Sequence, residues 1–93
     1  MIVAMGVIKA DGQVIQGYNI SSAAWSSGYQ RYHIELTGID FDYADYVTVV
    51  TGVGGDPVYS TASSMGGSLV VYLFNSEGDL TTDQFSFIVL EVQ

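Results

Sequence analysis

Glycine stops nearly every run of β-forming residues in this chain, and that punctuation limits the fold more than any other feature of the sequence. Eleven glycines are spread over 93 residues, and the runs between them are too short for long helices. No stretch of helix length carries an apolar period of about 3.6 residues. Val, Ile and Thr supply 25 of the 93 residues, whereas Glu, Lys, Arg and Leu together supply ten, so local preference also favours strands. Eight segments follow from the stops: residues 2–9, 13–20, 21–25, 29–36, 45–53, 58–65, 68–74 and 84–92.

The turns between these segments have their own chemistry. Asp11-Gly12 joins the first two as a hairpin, because Gly accepts positive φ and Asp bonds its local backbone. Ser26-Ser27-Gly28 reads as a second hairpin tip, Gly54-Gly55-Asp56-Pro57 as a turn, Gly66-Gly67 as a tight reversal and residues 75–83 as a loop. Eight short strands at this spacing predict a single all-β domain over residues 1–93, an antiparallel β-sandwich or jelly roll, with a small barrel as the remaining closure. A chain of 10.0 kDa has no room for a second core.

Two kinds of strand are visible. In residues 29–36 the pattern alternates cleanly, with Tyr32, Ile34 and Leu36 on one face and Arg31, His33 and Glu35 on the other. Leu69–Phe74 and Phe87–Leu90 are instead apolar without interruption. A strand of a two-layer sandwich needs apolar residues on one face only, so the second face calls for a cover. So short a chain has little to spare for one, which predicts a homo-oligomer with Leu69, Val71 and Leu73 as interface candidates.

Charge and composition exclude several functions. Ten carboxylates against Lys9 and Arg31 give a formal charge of −8, which cannot neutralise a row of phosphates; nucleic acid and anionic membrane are not expected partners. The absence of Cys removes disulfides, thiol nucleophiles and cysteine-ligated zinc. No apolar run approaches a membrane span, and residues 1–8 lack the basic start and cleavage pattern of a signal peptide.

No catalytic motif stands out. His33 is the lone His and no Gly-x-Ser-x-Gly elbow accompanies it, so a solvated or salt-bridged surface His is expected. Gly52–Pro57 lacks the lysine and the following helix of a phosphate loop. Asp40, Asp42 and Asp45, and Glu77, Asp79 and Asp83, form two acidic clusters whose oxygens would suit Ca²⁺. Neither matches an EF-hand, and turn formation is the plainer explanation, so no cofactor or metal is expected. Aromatic residues are in excess, and Trp25, Tyr29, Tyr43 and Tyr59 fall at or beside turns, where amphipathic rings can meet a sugar or protein surface. These four are the ligand-contact candidates.

The ordered segments Gly6-Val7-Ile8-Lys9-Ala10-Asp11-Gly12, Gly28-Tyr29-Gln30-Arg31-Tyr32-His33-Ile34-Glu35-Leu36, Asn75-Ser76-Glu77-Gly78 and Asp83-Gln84-Phe85-Ser86-Phe87-Ile88-Val89 resemble small β domains of bacteriophage tail fibres and their prophage-derived relatives. The likeness spans nearly the whole chain through short motifs, although many such chains carry Cys where this one has none. It implies a homotrimeric, non-enzymatic virion component at the end of a fibre, in contact with a host-surface glycan or protein. The alternative is a monomeric, Ca²⁺-dependent carbohydrate-binding module of a secreted protein. An enzyme would need a cleft that so short a chain seldom encloses.

Overall fold

The structure, a computed structural model, describes residues 1–91. The eight strands are β1 (Ile2–Ile8), β2 (Val14–Tyr18), β3 (Ile20–Ser26), β4 (Arg31–Leu36), β5 (Tyr46–Gly52), β6 (Tyr59–Met65), β7 (Ser68–Phe74) and β8 (Phe85–Glu91). They form two four-stranded antiparallel sheets, ordered β2-β1-β8-β5 and β3-β4-β7-β6, packed as a β-sandwich. The expected last segment continues to Val92, which lies outside the described residues.

Local chemistry accounts for the joints. In the β1–β2 hairpin, the Lys9 N–H donates to Gln13 O, the Gly12 N–H to Lys9 O and the Gln13 N–H to Asp11 Oδ1. Gly12 sits at φ 94° against the backbone of Ala24 and Trp25, so a side chain would be strained and would have no room. Asn19, at φ 60°, turns the chain from one sheet into the other within a single residue. Its side-chain amide donates to Val3 O at 2.9 Å, and its carbonyl accepts the Thr37 N–H at 2.8 Å, so this left-handed corner is tied to both layers.

Inward residues of both sheets make one core. Ala4, Ile8, Tyr32, Ile34, Leu69, Val71, Leu73, Phe85 and Val89 have no exposed surface. The β4 alternation holds as read: Tyr32, Ile34 and Leu36 face this core. Tyr32 is its polar exception, with rings of Trp25 and Phe85 each centred 4.8 Å away. Its hydroxyl lies 2.7 Å from Ala10 O and 3.2 Å from Asp83 O, and accepts the Asp83 N–H at 3.3 Å.

The β7 reading needs correction. Leu69, Val71 and Leu73 are at zero exposure in the intramolecular core and are closed to a second chain. Val70, on the opposite face of β7, is also covered, because it lies in register between His33 on β4 and Ser63 on β6. Neighbouring side chains of this chain therefore supply the cover that the apolar run requires.

Candidate functional site

The outer faces of the two sheets differ in chemistry. On β2-β1-β8-β5, cross-strand register lines up Tyr18 with Met5 and Ile88 with both Met5 and Val49, while Leu90 stands opposite Ile2 and Val47. Ile2, Met5, Tyr18, Val47, Val49 and Ile88 are all exposed. A groove of about 580 Å³ runs beside Tyr18, Met5 and Ile88. No charged residue within these four strands shares that face. Asp11, Asp40, Asp42, Asp45, Asp56, Glu77, Asp79 and Asp83 lie between strands, Glu35 is on the other sheet, and Glu91 pairs with the inward-facing Tyr46. Of the two uninterrupted apolar runs, Phe87–Leu90 is the one that leaves residues uncovered.

The outer face of β3-β4-β7-β6 is polar. Arg31, His33 and Glu35 of β4 run alongside Ser22, Ala24 and Ser26 of β3 and Ser68, Val70 and Tyr72 of β7. Glu35 accepts a hydrogen bond from the Ser68 hydroxyl. Arg31 departs from the expected solvated face, because it is only 6% exposed. Its Nε donates to His33 Nε2 at 2.9 Å and its Nη1 to the Tyr72 hydroxyl at 2.7 Å. The guanidinium carbon lies 4.3 Å from the centre of the Tyr29 ring and 5.7 Å from that of Tyr72. These are cation–π distances.

Tyr29 reaches this position because strand pairing begins later than the sequence pattern suggests. Residues 29 and 30 belong to the turn: Gln30 adopts φ 55° and donates its N–H to Ser26 O at 2.7 Å, which folds the Tyr29 ring back over Arg31. The other contact candidates scatter. Tyr59, exposed at the start of β6, shares the polar face through its pairing with Phe74. Tyr43 is exposed in the β4–β5 loop and donates its N–H to Ser64 Oγ, toward the far end of β6. Trp25 is half-buried, packs inward onto Tyr32 and also lines a shallow groove with Gln30 and Leu80. The structure therefore brings together Tyr29, Arg31, His33 and Tyr72, of which only Tyr29 was a contact candidate in the sequence.

His33 accepts from Arg31 through Nε2, so the neutral ring carries its proton on Nδ1. Burial first, and then the Arg31 charge, push its pKa below the ordinary 6.5, against an opposing pull from Glu35. The unfolded chain therefore takes up a proton below pH 6.5 that the folded chain resists, and stability falls as pH drops through that value. In His33→Gln an amide oxygen can accept from Arg31 without titrating. Its melting temperature is expected to fall less than that of the parent between about pH 6.5 and 5; identical pH profiles would contradict this role.

The acidic clusters are occupied with turns. Asp42 Oδ1 accepts the Ala44 N–H and Asp83 Oδ1 the Gln84 N–H, while Asn75 Oδ1 accepts from both Glu77 and Asp79. Among the described residues, no three His, Asp or Glu side chains converge as a metal site, and no serine hydroxyl is bonded to His33. Comparison with protein-family models, curated proteins and solved structures returns no match.

Proposed function

We propose that the chain is a non-catalytic structural and host-recognition module of the bacteriophage tail-fibre kind, acting as a homotrimer on a virion or extracellular fibre. The uncharged apolar face of β2-β1-β8-β5 carries this reading. Burial of Met5, Val49, Ile88 and their neighbours drives association. Its occupant is a second copy of the chain: a basic partner would need carboxylates on the face, and among the described residues the four strands place none there. Two chains of charge −8 approach most easily where neither presents charge, and salt screens the rest within roughly 8 Å. Self-association leaves the polar sheet, with Tyr29, Arg31 and Tyr59, directed outward for recognition. The trimeric state and the fibre setting rest on the sequence resemblance.

Sedimentation velocity tests the proposal. The expected species has three times the 10.0 kDa chain mass and strengthens as ionic strength rises. Val49→Lys, on an exposed edge-strand position where lysine is well tolerated, should sediment as a folded monomer. A parent chain that stays monomeric at high micromolar concentration would overturn the assembly and favour a monomeric carbohydrate-binding module.

A further inference from the structure

We infer that Arg31 anchors a binding site for a carboxylate-bearing saccharide on the outer face of β3-β4-β7-β6. An arginine is rarely buried this deeply without a carboxylate, yet among the described residues Arg31 meets only neutral groups: His33 Nε2, the Tyr72 hydroxyl and the Tyr29 ring. Ten carboxylates are present in the chain, and Glu35 stands on the same strand face about 13 Å along β4 with Ser68 as its partner.

One nitrogen of the guanidinium is left without a partner in the chain. Nη2 makes no hydrogen bond, and no buried side-chain nitrogen or oxygen lacks a partner among the described residues, so Nη2 meets solvent. Its two N–H groups and the second N–H of Nη1 can offer a planar carboxylate two parallel, charge-assisted bonds. The Tyr29 ring lies against the group, and the hydrogen bonds to His33 and Tyr72 hold it in place. Little side-chain freedom is left to lose on binding. A single cation suits a monoanion; a phosphate dianion would call for a second, and Lys9, beyond the end of β1 in the other sheet, is the only other basic side chain of its kind.

The saccharide part rests on the recognition role proposed above. Tyr29 is 66% exposed beside the guanidinium, an amphipathic ring able to cover the apolar face of a sugar. Ser26 is paired with Arg31, and Thr61 with Tyr72, so hydroxyls flank the site in one row across the sheet.

Titration of the ¹⁵N-labelled chain with glucuronate, glucose and acetate, followed by NMR, tests the inference. Glucuronate is expected to shift the Arg31 Nε–H and the Tyr29 signals saturably, acetate to bind at least about ten-fold more weakly and glucose to leave both unmoved. Arg31→Gln should weaken glucuronate binding about ten-fold or more, and Arg31→Lys should not restore it, because an ammonium lacks the paired donors. Tyr29→Ser, in an exposed turn where the fold is not at risk, should weaken it several-fold. Absence of saturation in the parent chain by about 50 mM glucuronate, acetate binding as tight as glucuronate, or unchanged affinity in Arg31→Gln would each overturn the site. If a neutral sugar binds where glucuronate does not, the inference falls while the recognition role stands. If neither binds, both lose support.

Discussion

Leu73→Ala is expected to lower the unfolding free energy by about 2–5 kcal/mol and to leave the assembly state unchanged. Leu73 has no exposed surface and belongs to the core shared by both sheets. Truncation removes its transfer free energy and leaves a cavity that the β-sandwich closes only in part. The whole stability of a domain this size is about 5–15 kcal/mol, so the loss is a large fraction of it. Chemical denaturation of parent and variant, with sedimentation of each, checks both halves. A variant of near-parental stability that dissociates would return Leu73 to the interface.

Tyr32→Phe is expected to cost about 1–3 kcal/mol, an unusual amount for the loss of one oxygen atom. The hydroxyl joins the β1–β2 turn at Ala10 to the loop before β8 at Asp83. Phenylalanine keeps the packing against Trp25 and Phe85 but leaves the Asp83 N–H and the Ala10 carbonyl without this partner. Burial, the largest influence, raises the Tyr32 pKa above 10.0, so the hydroxyl remains a donor at neutral pH. Amide exchange should quicken at Asp83 more than at β6, on the far edge of the sheet that holds Tyr32. A uniform change would argue against a local tie.

Much of this fold is legible in the sequence because local rules act within a few residues. The Asp11-Gly12 turn, the eight runs and the β4 alternation depend on neighbours and survive into the structure almost unchanged. What the sequence hides is set by residues distant in the chain. Leu69–Phe74 and Phe87–Leu90 look equivalent as apolar runs, yet β7 is an interior strand of the sheet whose outer face carries His33 and Ser63, while β8 lies between β1 and β5 and shares an outer face with Met5 and Val49. Strand order decides which run remains uncovered, and no local pattern reports it. Arg31 is similarly hidden: Tyr72, which binds it, is 41 residues away, and Tyr29 covers it only because Gln30 turns left-handed.

In the proposed assembly, β2-β1-β8-β5 packs against another copy of the chain while β3-β4-β7-β6 faces outward. Two methionines report on it directly. Met5 lies on the first face and Met65 on the second, with fractional exposures of 42% and 53% in the isolated chain. In methyl NMR with a soluble paramagnetic agent, Met65 is expected to be broadened and Met5 shielded in the assembled protein, with both broadened alike in Val49→Lys. Equal broadening of Met5 and Met65 in the parent chain at high concentration would contradict it.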